Sequence, residues 1–419
     1  MATWLALLTV VSLQAFAQTS KTIRFEDLPN LVRDKNENVK AAENVHSAQK
    51  ERSGYLTRSF LPKLSARTGD ESYKRGSTDI ERKGYWMVEG RINLYRGGRD
   101  NLESKIRDSN ERIARNEFSR EFLHELREAR QTYWRLVSVG QLIKDRREAL
   151  EKNEAYVKSS KRRVGAGVST SADVLQFELH KTLLQQELKK LTLEQDLLRN
   201  RLSVAIGWDE HESISIVEDF PHPPDNKEDA PKLNPSANVA LQIVQEREIR
   251  EQARSRQAKN WWLPHVDLYS SYGLPSLSDE YALATRNEKE WTAGVQIGID
   301  LSEGLEARNE GLAKAYEAKA EKERGKHRLR EMMAADHELR HDLSLLHELI
   351  HDADRDINKA ESFLKLTFSE YSRGVKNGPD LLEAFKSFYE FRERRTSLYR
   401  EYHETQSELM ELIAKDEQG

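Results

Sequence analysis

The spacing of apolar residues predicts two very long helices in this chain. Proline is absent between Gly98 and Gly167 and again between Gly304 and Gly374, and apolar side chains recur at helical intervals through both stretches. About 70 residues at 1.5 Å each would form rods of roughly 100 Å, a length typical of coiled coils and not of globular cores. A short glycine-containing turn and a second helical run follow each rod. Each half is therefore predicted to end in an antiparallel helical hairpin.

Before each rod, the apolar period changes from helical to two. Alternate positions are apolar from Trp86 to Leu94 and from Trp291 to Leu301, which predicts two strands of about ten residues, long enough to cross a bilayer when tilted. A weaker strand is predicted before each, starting at Leu64 and at Val266. Four strands cannot close a membrane barrel, which needs at least about eight. If these strands lie in lipid, the barrel must be shared between subunits.

Aromatic residues cluster around the predicted strands, where the belts of a membrane protein would lie. The four that we assign to such belts are Trp86, Tyr95, Trp262 and Trp291. A soluble β-hairpin packed on its own helices is the alternative interpretation.

The chain repeats this plan with an offset of about 207 residues, so that Gly167 corresponds to Gly374 and Asp173 to Asp380. The predicted first repeat covers 18–207 and the second covers 236–414. Each repeat comprises a helix (28–57 and 236–260), a strand pair and a long hairpin.

The remaining segments are short. A proline-rich connecting strap is predicted at 208–235, with one short strand near Ser213 to Val217, and 415–419 is a tail. Residues 1–17 are uncharged and mostly apolar and end in Ala15-Phe16-Ala17, a pattern typical of a signal peptide.

The amino-acid composition argues against several classes of function. The 67 basic and 71 acidic residues nearly cancel and are interleaved, which argues against a nucleic-acid groove. Charged residues make up 33% of the chain and hydrophobic residues 37%, which favours an elongated protein over one with large cores. The chain has no cysteine, so disulfides, thiolate metal sites and a cysteine nucleophile are excluded.

Two histidine motifs match the zinc-protease pattern, His337 with His341 and His347 with His351, each pair enclosing a glutamate. Both lie inside the second rod and point about 80° apart on its helix, so they cannot line one pocket. The sequence favours a solvated helix surface here, and adventitious metal binding by one pair is the alternative. No metal site or cofactor is predicted.

Taken together, these elements resemble the TolC-type outer-membrane efflux proteins across essentially the whole mature chain. The matching motifs are Asn36-Glu-Asn-Val39 before Leu61-Pro62, Tyr95-Arg-Gly-Gly98 after a strand, Arg163-Val-Gly-Ala-Gly167 before Ser171-Ala-Asp173-Val-Leu175, and Tyr371-Ser-Arg-Gly374 before Asp380-Leu-Leu382. The chain departs from the family where Asn93 and Ile299 replace the usual proline before the strand exit, where Glu303-Gly304 replaces the second Gly-Gly, and in its very short tail.

The resemblance implies a mainly helical fold with a small β part, in which duplicated hairpins form a tunnel and four strands join a shared trimeric twelve-stranded barrel. It implies a passive homotrimeric channel in the outer membrane lipid, with its tunnel in the periplasm, and no enzymatic activity. The implied partners are a periplasmic adaptor protein and an inner-membrane pump of the RND or ABC type, for efflux or for type I secretion. A periplasmic or secreted coiled-coil scaffold without a pore is the alternative function.

The resemblance also implies a gate at the hairpin tips. A latch is carried onto Asp173 in the first tip and onto Tyr371 and Lys376 in the second, where an arginine is common in place of Lys376. The alternative is that these are ordinary solvated turn residues. Tip turns are assigned to Gly165, Gly167, Gly374 and Gly378.

Asp380 and Glu383 are three residues apart and therefore share one helical face. In a threefold assembly they would form stacked acidic rings at the constriction, similar to the cation-sensitive ring of the family. The alternative is a solvent-facing pair that stabilises the start of its helix.

Overall fold

The computed structural model describes residues 21–74, 80–208, 214–217, 219–224, 231–275, 289–299 and 304–414. The predicted signal peptide and tail, together with Ser213, Leu301 and Glu303, lie outside these ranges. Among the described helices, none is both long enough and apolar enough to cross a membrane.

The chain folds into two compact units, each built from interleaved segments. The first unit draws on Met1–Lys40, Phe122–Lys232 and Asp336–Leu412, and the second on Ala41–Glu121, Leu233–Ala335 and Ile413–Gly419. The division into two repeats at 18–207 and 236–414 stays a prediction.

The long helices have nearly the predicted bounds. The α-helices of the described ranges are α1 Leu28–Lys35, α2 Glu37–Arg52, α3 Tyr55–Ser59, α4 Arg99–Gly165, α5 Ser171–Ala205, α6 Val239–Lys259, α7 Gly304–Ser372 and α8 Gly378–Ile413. The rods α4 and α7 contain 67 and 69 residues, and α5 and α8 are their hairpin partners. The prediction that long helices lie in the proline-free stretches is therefore confirmed.

The helix expected over 28–57 is instead divided into α1, α2 and α3. Asn36 has an extended backbone, and its side-chain oxygen accepts hydrogen bonds from the amides of Asn38 (2.9 Å) and Val39 (3.1 Å). A side chain that satisfies the first amides of a helix marks a new start. The second division falls at Gly54, whose φ of 63° is left-handed.

Four antiparallel strands form the main sheet, in the order β2 Lys63–Tyr73, β3 Glu81–Arg96, β5 His265–Leu274 and β6 Glu290–Gly298. All four match strands predicted from the alternating pattern. The register shifts between Asn93 and Tyr95, close to the end of β3 at Arg96. β2 and β6 are the outer strands, so each has one edge unpaired within the sheet.

The two faces of this sheet differ in chemistry. On one face, the Glu89 carboxylate pairs with Arg67 at 2.9 Å and with Arg91 at 3.3 Å. The other face is apolar and exposed; Leu64 there is 77% exposed and Trp291 is 74% exposed. Further exposed apolar side chains on this face are Val88, Leu268, Tyr272, Val295 and Ile297.

A second, two-stranded sheet lies in the first unit. β1 Lys21–Ile23 pairs in parallel with β4 Ile214–Ile216. The short strand predicted in the strap is therefore present.

Stacked rings attach the strap to the helices of the first unit. Phe220 stacks on His403 of α8 at a ring distance of 5.8 Å, and His403 stacks on Trp134 of α4 at 4.3 Å. The His403 Nε2 atom lies 3.1 Å from the carbonyl oxygen of Pro221. Burial lowers the pKa of His403, so the neutral ring is favoured in the fold.

Ion pairs join α4 to α8 within the same unit. Arg392 contacts Asp145 at 2.5 Å and Glu148 at 2.6 Å, and Arg135 contacts Glu404 at 2.8 Å. The Asp145 side chain is only 2% exposed. Because a buried carboxylate needs a charged partner, Arg392 fixes the register of the two helices.

We predict that alanine destabilises the protein much more at one left-handed glycine than at another. At Gly207 (φ 62°) a Cβ atom would lie 2.3 Å from the Lys35 carbonyl oxygen, whereas at Gly54 (φ 63°) nothing lies within 4 Å. Gly54→Ala should cost about 1 kcal/mol from backbone strain alone, and Gly207→Ala about 3 kcal/mol or more because the clash adds to it. Thermal unfolding followed by circular dichroism measures both. Equal losses would show that the contact with Lys35 is unimportant.

Candidate functional site

The first hairpin tip, residues 163–173, turns through a glycine-capped helix end. Gly167 has a φ of 73°, its amide donates to the Val164 carbonyl at 3.0 Å, and the Val168 amide donates to the Arg163 carbonyl at 2.9 Å. This pair of bonds is a Schellman motif, which satisfies carbonyls left free at the end of α4.

The second tip, residues 371–380, repeats the same turn. Gly374 has a φ of 84°, its amide donates to the Tyr371 carbonyl at 3.0 Å, and the Val375 amide donates to the Glu370 carbonyl at 3.0 Å. A side chain at either glycine would be strained, which explains the residue type at both positions.

The helices that leave the tips begin with matching capping boxes. In the first tip, the amide of Asp173 donates to the Thr170 hydroxyl at 3.4 Å, and the amide of Thr170 donates to the Asp173 carboxylate at 3.3 Å. Ser169 also donates to this carboxylate at 2.5 Å. In the second tip, Asn377 and Asp380 exchange the equivalent bonds, at 3.0 and 3.4 Å. Both aspartates thus stabilise the starts of their own helices.

No hydrogen bond or ion pair of the described residues joins the three proposed latch side chains to one another. Asp173 faces the second tip but is bonded within the first. Tyr371 is 1% exposed, and its hydroxyl has no hydrogen-bond partner within the described ranges. Lys376 is half-buried and makes no ion pair with the part of the chain that the structure describes. A latch of these side chains across neighbouring hairpins stays a prediction.

The cation that contacts Tyr371 is Arg163, a residue to which the sequence assigned no role. Its guanidinium carbon lies 4.4 Å from the Tyr371 ring centre, and its Nη1 donates to the Tyr371 carbonyl at 2.6 Å. The sequence signal that could have identified it is a basic residue in the last turn of a helix. That signal predicts contact with carbonyls of its own helix, whereas Arg163 reaches those of α7.

The acidic pair occupies two different environments. Asp380 is half-buried in its capping box, whereas Glu383, one turn later on α8, is exposed. The capping role matches the alternative interpretation for Asp380. An acidic ring in an assembly stays a prediction for both residues.

Three of the four tip glycines have a structural explanation, and there are two different ones. Gly167 and Gly374 require a left-handed backbone. Gly378 requires close approach, because a Cβ atom there would lie 2.8 Å from Asp173 Cβ and 2.9 Å from its carboxylate. At Gly165, nothing lies within 4 Å of such a Cβ atom, and we find no structural need for glycine.

The four aromatic residues assigned to membrane belts lie at two levels of the main sheet. Trp86 pairs in register with Leu274 and Trp291 with Tyr272, so both tryptophans lie at one end of β5, although β2 and β3 continue past this level to Tyr73 and Glu81. Tyr95 lies at the other end, near the strand exit, and Trp262 precedes β5 at that end. Tyr95 is 46% exposed and Trp262 is 58% exposed.

The histidine motifs lie on α7. His337, His341 and His351 are exposed and His347 is half-buried. Over the described residues, no group of three or more histidine, aspartate and glutamate side chains is arranged to hold a metal ion.

An aromatic core lies behind the tips and packs all four hairpin helices together. Its buried members include Tyr156, Phe177, Leu184, Leu364, Tyr371, Leu381, Phe385 and Tyr389. Burial raises the pKa of Tyr156 to about 12.

His180 of α5 faces this core 5.7 Å from Phe385, and both its ring nitrogens are buried without a partner in the described ranges. Burial, with Lys386 and Arg146 nearby, lowers the pKa of His180 to about 4.

Comparison with known proteins identifies the fold. No protein-family model matches the sequence, and a search of curated proteins finds no match. Solved structures do match: the outer membrane protein VceC of Vibrio cholerae has a TM-score of 0.80 at 14% identity, covering 93% of this chain and 96% of that chain. The CmeC outer membrane channel of Campylobacter jejuni has a TM-score of 0.76 at 12% identity, covering 94% and 87%.

A third match is the MtrE outer membrane channel of Neisseria gonorrhoeae, with a TM-score of 0.76 at 13% identity, covering 93% of this chain and 88% of that chain. At these identities the matches show a shared fold. The expected fold class, long helical hairpins with a small β part like that of the TolC-type proteins, is confirmed. The proteins that share it are described as outer membrane channels, not as enzymes.

We predict opposite effects of alanine at two tip glycines. Gly378→Ala should destabilise the protein by about 1–3 kcal/mol, because Asp173 must move away from its capping position. Gly165→Ala should be neutral or stabilising by up to about 1 kcal/mol, because alanine favours the helix and meets no neighbour. Chemical denaturation of both variants measures the difference, and a loss at Gly165 as large as that at Gly378 would contradict it.

The environment of His180 predicts a loss of stability in acid. Its pKa is about 4 in the fold and about 6.5 in the unfolded chain. The stabilisation is complete above the unfolded value, and it declines as the pH falls from about 6.5 towards 4, where the unfolded chain binds a proton that the folded chain excludes. His180→Leu should flatten this part of the curve of thermal midpoint against pH. The control His337→Leu changes an exposed histidine and should keep the native curve; a His180→Leu curve identical to the native one would refute the assignment.

Proposed function

We propose that this chain is one subunit of a homotrimeric outer membrane channel that exports molecules without chemistry. The observation that carries the proposal is the main sheet, which has one apolar exposed face, one charged face and two unpaired edges. Outer membrane channels with the same fold support it.

The apolar face of the sheet is suited to lipid. Leu64, Val88, Val295 and Ile297 are all at least 44% exposed on it, and a soluble protein would rarely leave so large a patch in water. The opposite face holds the Arg67–Glu89–Arg91 pairs, which suit a water-filled lumen. Alternation of apolar and polar positions across a strand is the signature of a membrane barrel.

Closure of the sheet requires other copies. β2 and β6 each leave one edge unpaired, and unsatisfied backbone groups are not tolerated in lipid. Pairing of β6 in one copy with β2 in the next removes both edges, and three copies with four strands each form a closed barrel of twelve. The two levels of aromatic residues then supply two belts, one with Trp86 and Trp291 and one with Tyr95 and Trp262.

The exposed surface of helix α5 in the first unit also supports packing against a second copy of the chain. This helix carries two apolar stripes on opposite sides. The buried stripe includes Phe177, Leu184, Leu198 and Leu202, and the exposed stripe includes Leu175, Leu179, Leu183, Leu193, Leu197 and Val204. At 100° per residue, the exposed stripe falls within a sector of about 80°. An apolar sector of this kind is typical of a helix that packs on a partner.

The other exposed edge of the first unit is α7. Ion pairs join α5 to α4 (Lys161–Glu178), α4 to α8 (Arg392–Asp145) and α8 to α7 (Arg395–Asp354). In the described ranges, none joins α5 to α7. Exposed apolar residues of α7 on this unit include Leu345, Phe363 and Leu366. Contact of α5 in one copy with α7 in the next is heterologous and closes into a ring, as a tunnel requires.

The tips would then form the entrance to the tunnel in the periplasm. Gating by the latch residues Asp173, Tyr371 and Lys376 and charge selection by Asp380 and Glu383 belong to this proposal. A periplasmic adaptor and an inner-membrane pump of the RND or ABC type would supply cargo, since the chain has no predicted chemistry of its own. The cargo would be chosen by the pump.

Planar lipid bilayers test the channel directly. Detergent-purified protein should have the mass of a trimer, migrate differently on gels after heating, and insert as discrete conductance steps. A protein that is monodisperse without detergent and produces no conductance would overturn the channel and favour the scaffold.

A charge placed on the exposed stripe of α5 should break the trimer. We expect Leu179→Lys and Leu183→Lys to reduce the trimer fraction strongly, because each buries an ammonium in an apolar contact. The matched control is Gln185→Lys, an exposed position on another face of the same helix, which should leave the trimer intact. Light scattering of the detergent complexes measures the fraction, and a trimer retained in all three variants would exclude this face from the interface.

A further inference from the structure

The first tip holds the second tip of the same chain at both of its helix ends, through Arg163 and Asp173. We propose that Arg163 is a positioning residue of the gate: it holds the end of α7 in place, and its release is required before the second tip can move. This inference rests on the proposed channel function. It adds to the tip a cation that neither the sequence nor the latch hypothesis assigns.

The contacts of Arg163 reach across the hairpins. Its Nη1 donates to the carbonyl of Tyr371 at 2.6 Å and lies 3.4 Å from the carbonyl of Ser372, the last residue of α7. Its guanidinium carbon lies 4.4 Å from the ring centre of Tyr371. The backbone carbonyl of Arg163 meanwhile accepts the Val168 amide that closes the first tip. One residue therefore belongs to both turns.

The physical effect is to cap α7 with a positive charge from another helix. The last carbonyls of a helix lack partners within it and carry partial negative charge. A guanidinium supplies several donors in a plane and can also stack on an aromatic ring. The Tyr371 ring is 1% exposed and the Arg163 side chain is half-buried, so the stacked pair is partly shielded from water, which strengthens a charge-assisted bond.

The second contact fixes the other side of the same turn. Asp173 lies against Gly378, the first residue of α8, so closely that a Cβ atom at Gly378 would be 2.9 Å from its carboxylate. A negative charge at the start of a helix is favourable, as a positive charge is at the end. The first tip thus places a cation at the end of α7 and an anion at the start of α8. Its charges complement both helix dipoles.

If the second tip moved without the first, the contact of Arg163 with the end of α7 and that of Asp173 with Gly378 would both break. Tyr371 and the capping residue Asp380 lie within the second tip. The neighbouring cations Arg162 and Arg373 are exposed. The tips of one chain are therefore expected to move as a single body while Arg163 is engaged. Loss of Arg163 should free the second tip and favour the open entrance.

Bilayer conductance of Arg163→Ala and Arg162→Ala tests the proposal. The two variants remove the same charge from adjacent residues, but only Arg163 contacts the second tip. We expect Arg163→Ala to show higher conductance or more frequent opening than the native protein and Arg162→Ala to match the native protein. Arg163→Lys should be intermediate, because a single ammonium can reach a carbonyl but loses the planar stack. Equal conductance in Arg163→Ala and Arg162→Ala would overturn the role of Arg163 and leave the channel itself supported.

Amide hydrogen exchange provides a second measurement that does not depend on conduction. In purified Arg163→Ala, the amides of 373–376 should exchange about tenfold faster than in Arg162→Ala, because the loss of a charge-assisted bond lowers the cost of local opening. A trimer mass equal to that of the native protein excludes general unfolding as the cause. Unchanged exchange would overturn the role of Arg163 in holding the end of α7. Absence of conductance in the native protein would overturn the proposed function and, with it, the gating role of Arg163.

Discussion

One copy of this chain covers only part of its own apolar surface. Helix α5 buries the stripe of Phe177 and Leu202, but its opposite stripe of leucines stays in water, and the apolar face of the sheet is exposed beside two unpaired strand edges. Exposed apolar area and open strand edges are both unfavourable. No rotation of α5 can bury both stripes against α4 and α8, and this constraint is the reason that the proposed function includes contacts with further copies of the chain.

The abundant charge has a structural purpose in the first unit. Pairs such as Arg392 with Asp145 and Lys161 with Glu178 join adjacent helices, which explains why acidic and basic residues are interleaved and nearly equal in number. Exposed pairs add little stability. Their effect is to select one register between helices whose apolar seams would accept several. At the tips, Arg163 lies at the end of α7 and Asp173 at the start of α8, where their charges complement the two helix dipoles.

The candidate site was partly visible in the sequence. Gly167 and Gly374 could be assigned to turns because a glycine after a long helix favours a left-handed cap. Gly378 was assigned to a turn as well, but its cause is the approach of Asp173, which is distant in the chain. The role of Arg163 could not be predicted from the sequence, because its partner Tyr371 lies 208 residues away in the chain. The latch of Asp173, Tyr371 and Lys376 across neighbouring hairpins and the acidic ring of Asp380 and Glu383 in a threefold assembly stay predictions.

The amino-acid sequence by itself determined the long helices and the strands of the main sheet. Glycines mark the ends of the proline-free helices α4 and α7, and period-two alternation identifies β3 and β6, because these patterns depend on backbone geometry within a few residues. Only the tertiary structure decided the order of the strands, which stripe of α5 is buried, and which cation caps α7. Those features depend on contacts between residues far apart in the chain, and local periodicity contains no information about which distant partner a side chain will meet.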